Sequence, residues 1–338
     1  MRILYIDYMS PSGHEVFNTI QLKSLISIGC KIHLVVYGQF LSGRLEDKNI
    51  SITRIPDLYS TKNKSSILIR INDFKRLLWI KKNVINNNYD YVIFSSYDIL
   101  SLYYFKFNIP NIFLINHNNV DQFDSRVKLY LTRHLPNHYI HIALNEYMES
   151  KLKESLPGKS VQYVPHGFLE TTEKQLRPSF VKENCKFVFC PVNRNYDAEL
   201  VKELLYSHTL NEYLKENEIT IYVKSQLLSV PSDNIQVVGM LSDEEYNYML
   251  TKAIAVLLPY GEEFRYRCSG ILFECVARNT PIIATEREAL KIYQDKINIH
   301  FFKNSKSFVD VLSEVSKSEK KTYNTELLQP TEYWKKVL

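Results

Sequence analysis

Glycine is scarce in this 338-residue chain, nine in all and none in a GxGxxG arrangement. The dinucleotide fingerprint is therefore absent, and each glycine that does occur asks for a local reason. Cysteine is little used. Cys30, Cys185, Cys190, Cys268 and Cys275 are an odd number without a CxxC pair. None has a histidine at zinc-like spacing, which argues against a metal site or a disulfide framework. They read as small apolar residues in a reducing compartment. No run of about 18 apolar residues occurs, so no segment has the length of a membrane-spanning helix. The opening MRILYIDYM is too short an apolar run for a signal peptide, and the protein is expected in the cytoplasm. Neither an internal repeat nor a low-complexity tract is present. The net charge of +5 is mild. It permits anionic partners such as nucleotide phosphates or an acidic bilayer, and no nucleic-acid partner is expected.

What the chain does have is alternation. Hydrophobic residues make up 45% and charged residues 23%, ordinary for a soluble protein with substantial cores, and the length suggests two domains. Short apolar runs alternate with longer amphipathic stretches, the pattern of a parallel α/β sheet. The first series has strand candidates at 2–7, 31–37, 51–55, 90–95, 111–116, 139–144 and 161–164. Helices are expected at 14–29, closing at Gly29, and at 67–86, 97–107, 121–134 and 146–155. The second series has strands at 186–192, 219–224, 234–239, 253–259, 280–285 and 297–302, with helices at 197–207, 242–251, 269–278 and 304–316. A polar stretch with Pro165, Gly167 and Pro178 links them. The expected organisation is an α/β chain of two doubly wound parallel-sheet domains facing a cleft, 1–165 and 166–325. A terminal helix follows over 326–338, which either crosses back to the first domain or ends the second. Such sheets bind ligands outside the carboxyl ends of their strands.

The residues that suit chemistry fall at such ends. Gly13 lies in the loop after the first strand, where the start of a helix suits an anion, although a plain turn explains it equally. His14 beside it reads as an ordinary first-turn residue. His117, in INHNNVD, follows a buried strand and can orient a hydroxyl or carry a proton. Arg194 and Lys224 end adjacent strands of the second series, a cationic pair matching a diphosphate. The stretch PYGEEFRYRCSGILFECVA, 259–277, sets a polar loop and a helix start between two apolar runs. Ser269 suits an N-cap, Gly270 a close backbone approach, and Glu274, one turn on, the hydroxyls of a ribose.

Several segments then resemble, in order, the GT-B glycosyltransferases, in particular the large retaining group that uses nucleotide sugars. SPSGHEV is similar to their acceptor-domain glycine loop and IGCKIHLVV to their second strand. VQYVPHGF resembles the step into the donor domain, and NIQVVGMLSDEEYNYMLTKAIAVLLP the donor-domain helix and strand. The stretch from Gly261 to Thr285 is similar to the donor loop and its following helix, and PTEYWKKVL to the terminal tryptophan-bearing helix. The resemblance covers most of the chain. It implies two Rossmann-like domains, with Glu274 on the donor ribose, Ser269 and Gly270 beside its diphosphate, and Arg194 and Lys224 as the cations there. Arg267 would join the donor-binding loop, Met240 with Gly239 would lie near the base, and His117 would stand near the transferred sugar. The family's paired glutamates would place the first at 266, where this chain has Tyr266. Glu262 or Glu263 then supplies a carboxylate from a shifted loop, with Glu263 taken as catalytic beside His117. No Asp-x-Asp pair occurs, which fits a reaction without cofactor or metal.

The implied activity is transfer of a sugar from a nucleoside-diphosphate sugar to a saccharide or polyprenyl-linked acceptor, in bacterial surface polysaccharide assembly. A non-hydrolysing nucleotide-sugar epimerase and a catalytically inactive binding subunit are the alternatives. RINDFKRLLWIKKN, 70–83, also reads two ways. It is a helix lying in an anionic interface at the inner face of the plasma membrane, or an amphipathic helix on the sheet with a solvated basic face.

Overall fold

The computed structural model describes residues 1–9, 14–38, 47–56, 66–85, 88–169, 174–191, 196–225, 232–318 and 323–338. They divide into two compact units. Unit 1 is Met1–Gly167 with Tyr266–Cys268 and Leu328–Leu338; unit 2 is Phe168–Arg265 with Ser269–Leu327.

Unit 1 runs β1 (Arg2–Asp7), α1 (Glu15–Ser27), β2 (Lys31–Tyr37), β3 (Ile50–Ile55), α2 (Ser66–Asn83), β4 (Tyr91–Phe94), α3 (Ile99–Phe105), β5 (Ile112–Ile115), α4 (Arg126–Arg133), β6 (Tyr139–Ala143), α5 (Glu146–Ser155) and β7 (Ser160–Tyr163). Its seven strands lie in the order β3-β2-β1-β4-β5-β6-β7, every pairing parallel. Strands covered on both faces read as unbroken apolar runs. In β1 the alternation still sorts the faces. Leu4 and Ile6 pack with Leu77 and Ile80 of α2 and Leu102 of α3, whereas Ile3 and Tyr5 pack with Phe17, Leu22 and Leu25 of α1.

Unit 2 runs β8 (Lys186–Cys190), α6 (Ala198–Tyr206), α7 (His208–Glu216), β9 (Ile219–Lys224), β10 (Ile235–Val238), α8 (Asp243–Lys252), β11 (Ala255–Leu258), α9 (Gly270–Ala277), β12 (Ile282–Thr285), α10 (Glu288–Lys291), β13 (Ile299–Phe302) and α11 (Ser305–Lys317). Its six parallel strands are ordered β10-β9-β8-β11-β12-β13. The last helix, α12 (Thr331–Val337), belongs to unit 1. Trp334 on it is fully buried, donates its indole N–H to Gln21 Oε1 at 2.7 Å and sets an edge on Phe113. Gln21 in turn donates to the His166 carbonyl at 2.9 Å. Glycine is required close by. Gly167 has φ +78, and a Cβ there would stand 2.6 Å from Ile20 Cγ2 and 2.7 Å from Pro330 Cδ.

Each expected strand is present, its ends shifted by at most two residues. Helix limits moved more. The stretch expected as one helix over 121–134 is a 3₁₀ turn, Val120–Asp124, and then α4. Ser125, with extended backbone between them, accepts from Lys128 N and restarts the helix. Helices α7 and α10 were not expected. The first is capped by Ser207 and buries Leu210 and Leu214, one turn apart.

Packing on the sheet accounts for much of the apolar content of 70–83. Leu77 is fully buried, and Phe74, Leu78 and Trp79 pack on the same core. Arg76 is also buried, 2.9 Å from Asp73 Oδ1 and 3.7 Å above the Tyr37 ring. Phe74, Leu77, Leu78 and Trp79 thus pack on the core, as in the alternative of an amphipathic helix on the sheet, while Ile71 is 43% exposed. Among the described residues no helix is long and apolar enough to cross a membrane.

Candidate functional site

Each unit gathers polar side chains at the carboxyl ends of its strands. In unit 1 the centre is Asp7, the last residue of β1 and 2% exposed. It accepts from Asn18 Nδ2 at 2.7 Å and Ser96 Oγ at 2.5 Å. His14 Nδ1 lies 3.5 Å from its Oδ2, within ion-pair reach though long for a hydrogen bond. Burial pushes the Asp7 carboxyl up, but the opposing pull of His14, Ser96 and Asn18 leaves it below the usual carboxylate range. It is ionised at neutral pH.

His117 follows β5, with Nε2 3.0 Å from the Ser95 carbonyl oxygen, and it stacks on His14 at 4.1 Å between ring centroids. Phe17 sets its ring against both His117 and His166. Burial, with His14 and His166 adding their charge, holds the His117 imidazole well below its ordinary value. His166 is pushed down to about 4, chiefly by burial. Both are neutral bases at pH 7. The predicted His117 is therefore one member of a larger group with His14, His166 and Asp7.

In unit 2 the group forms on β9, α8 and α9. Lys224, the last residue of β9, holds Nζ 4.9 Å from the centroid of the Tyr246 ring on α8. The Tyr246 hydroxyl donates to Glu274 Oε2 on α9 at 3.1 Å, and Phe189 of β8 meets the same ring edge-on. The structure thus brings Lys224 and Glu274, fifty residues apart, to two parts of one phenol. Ser269 is the N-cap of α9, accepting from Leu272 N at 3.1 Å, with its Oγ also 2.6 Å from the Tyr260 hydroxyl. It is 2% exposed, so its hydroxyl serves the fold. What α9 can offer a ligand is its first-turn backbone. A Cβ added at Gly270 would meet nothing within 4 Å, so packing does not demand glycine there, and the open space leaves the backbone approachable.

The remaining calls are scattered. Met240 is exposed. Arg267 belongs to unit 1, where its Nε bonds Asp121 Oδ2. Beside it Tyr266, at the position of the missing glutamate, stacks on Tyr147 and accepts from Asn145 Nδ2 through its carbonyl. Glu263 lies in the 3₁₀ turn Glu262–Phe264, but its side chain is outside the described residues, as are Gly13 and Arg194. Asp7, His166, Tyr246 and Arg287 were missed by sequence reasoning. Arg287 donates to the Tyr260 carbonyl at 3.0 Å and pairs with Glu262, tying down the 3₁₀ turn Glu262–Phe264. Asp7 had a readable signal, a carboxylate closing the apolar run RILYID. Tyr246 had none that set it apart from the other tyrosines. Among the described residues no group of three or more His, Cys, Asp or Glu could hold a metal ion.

No protein-family model matches the chain, and no curated protein matches it. Solved structures do. Anabaena HepE in complex with UDP-glucose superposes with a TM-score of 0.59 at 11% identity, over 94% of this chain and 90% of that one. The lipopolysaccharide outer core galactosyltransferase WaaB gives 0.56 at 18%, over 98% and 94%. The UDP-GlcNAc 2-epimerase of Neisseria meningitidis, bound to UDP-GlcNAc, gives 0.61 at 14%, over 100% and 99%. The fold is GT-B. In this GT-B chain the two Rossmann-like sheets have seven and six strands, and the sequence expectation of fold class holds.

Proposed function

We propose that this chain is a glycosyltransferase that binds a nucleoside-diphosphate sugar through unit 2 and passes the sugar to a saccharide or polyprenyl-linked acceptor, of the kind used in bacterial surface polysaccharide assembly. The observation that carries this reading is the convergence of Lys224, Tyr246 and Glu274 beside the capped start of α9. A cation and a helix start suit a diphosphate, and a carboxylate one turn further suits a ribose diol. Structural neighbours crystallised with UDP-glucose and UDP-GlcNAc support a uridine nucleotide as the first to try.

The chemistry assigned to unit 2 needs no metal. Lys224, Arg194 and the first-turn amides of α9 take up the negative charge that develops on the departing diphosphate. In unit 1 the neutral imidazole of His117, stacked on His14 with ionised Asp7 close by, is suited to orient the acceptor hydroxyl and take its proton. A thermal-shift screen of nucleotide sugars tests the proposal. One or more should stabilise the protein, and Glu274→Ala should remove that shift. Stabilisation by no nucleotide sugar would end the enzyme reading.

A second reading, an epimerase, is favoured by the match to the Neisseria enzyme over the whole chain. Proton NMR of the protein with UDP-GlcNAc and no acceptor separates the two. Conversion of the sugar without release of UDP would replace the transferase.

A further inference from the structure

Three helices of unit 1 lie side by side. Leu77 and Ile80 of α2, Leu102 and Phe105 of α3 and Leu131 of α4 pack on one core, so these helices cover the same face of the sheet. Helix α3 lies against both α2 and α4, and its Tyr104 ring meets Phe74 of α2 at 5.2 Å. Among the described residues fourteen large apolar side chains are exposed, and eight of them are on these three helices. Single exposed apolar residues are ordinary, but a concentration of them marks a surface that something covers. On each helix they recur one turn apart: Ile67 with Ile71 on α2, Leu100 with Tyr104 on α3, Val127 with Tyr130 on α4. Leu68 and Ile69 add to the first turns of α2.

The exposed charge on these helices has one sign. Helix α2 carries a single carboxylate, Asp73, which is buried against Arg76, and α3 and α4 carry none. Asp98 caps α3 by accepting from Ser101 N at 2.9 Å, and Asp124 closes the 3₁₀ turn before α4. Arg70, Lys75 and Lys82 of α2 and Arg126 of α4 are exposed and enter no ion pair among the described residues. Apolar side chains among unpaired cations match a surface that is at once apolar and anionic, the headgroup boundary of an acidic bilayer. Tyrosine suits that depth because its ring is apolar and its hydroxyl stays wet. A second copy fits worse, since this face turned on itself would set cation against cation.

We propose that the outer side of α2, α3 and α4 seats unit 1 on an anionic bilayer, with Ile71, Tyr104, Val127 and Tyr130 entering the interface and Arg70 and Arg126 meeting lipid phosphates. This stands apart from the nucleotide reading of unit 2. It also moves the contact away from the middle of 70–83, where Leu77 is buried, to the first turns of α2 and to two helices further along the chain.

Co-sedimentation of the full chain with vesicles of phosphatidylcholine, alone or mixed equally with phosphatidylglycerol, tests it. The protein should sediment with the mixed vesicles, weakly with the neutral ones, and less in high salt than in low. Arg70→Gln with Arg126→Gln should weaken partitioning about thirtyfold, the loss expected for two cations near the surface. Tyr104 is 72% and Val127 65% exposed, so replacing them disturbs the fold little. Tyr104→Ser with Val127→Ser should weaken partitioning about tenfold. Lys202→Gln, which removes an exposed cation from α6 in unit 2, should change nothing. Sedimentation with neither vesicle, or equally with both, would overturn the proposal. So would unchanged binding by either double variant, or a loss produced by Lys202→Gln. Self-association without lipid that Tyr104→Ser with Val127→Ser abolishes, read by analytical ultracentrifugation, would make the face a contact between copies and end the bilayer reading.

Discussion

In unit 1 two imidazoles are kept neutral by burial around an ionised, almost fully buried carboxylate. In unit 2 a lysine, a phenol and a carboxylate stand at half-buried positions on three separate elements. The two groups sit at equivalent ends of similar sheets, yet they suit different tasks. The first suits proton handling, because a neutral imidazole can accept a proton. The second presents charge to solvent and suits a polyanionic ligand that brings its own hydroxyls. Proton chemistry calls for water-poor, tightly bonded surroundings, while charge recognition tolerates exposure.

That difference also divides the energetics, and mutations should report it. The largest effect is expected from Trp334→Ala, which removes a fully buried indole and its bond to Gln21. It should cost about 3–5 kcal/mol in unit 1 and leave unit 2 unchanged, as read by local hydrogen exchange during urea unfolding. Asp7→Ala comes next, stranding the donors of Asn18 and Ser96 at about 2–3 kcal/mol, again confined to unit 1.

Acid should separate the units too. His141 and His166 are pushed down to about 4 by burial, below their unfolded value near 6.5. A histidine neutral when folded stabilises fully above its unfolded pKa and loses that contribution as pH falls toward the folded one. Asp73, raised to about 6 chiefly by burial, works in the opposite direction between about pH 4 and 6. With His117 on the side of the other two histidines, unit 1 should lose stability on acidification from pH 6.5 to 4. Unit 2 should change less, as a pH series of exchange rates would register. The smallest effect belongs to Glu262→Ala. Its carboxylate pairs with Arg287 but is 80% exposed, so the stability change should stay within about 1 kcal/mol in thermal melts.

The same contrast explains what could be read from the sequence. Parallel strands buried on both faces are written as unbroken apolar runs, so RILYID, KIHLVVY and AVLL announced themselves. Ser269 was legible as a cap because capping depends on residues a few positions away. The contacts that decide the site span long separations. Nothing local in RINDFKRLLWIKKN shows that Arg76 is covered by Tyr37 and reaches the Tyr8 carbonyl. Nothing local in DEEYNYM shows that Tyr246, rather than Tyr248, meets Glu274. Lys224 and Glu274 were each readable as strand-end and helix-face residues. Their joining through a phenol on a third element was not.

The assignment of nucleotide binding to unit 2 is tested most directly by hydrogen–deuterium exchange with and without saturating UDP. Slower exchange should concentrate at the end of β9, in α8 and in the first turns of α9, with the ends of β1 and β4 unchanged. Protection confined to unit 1, or absent from α9, would contradict it.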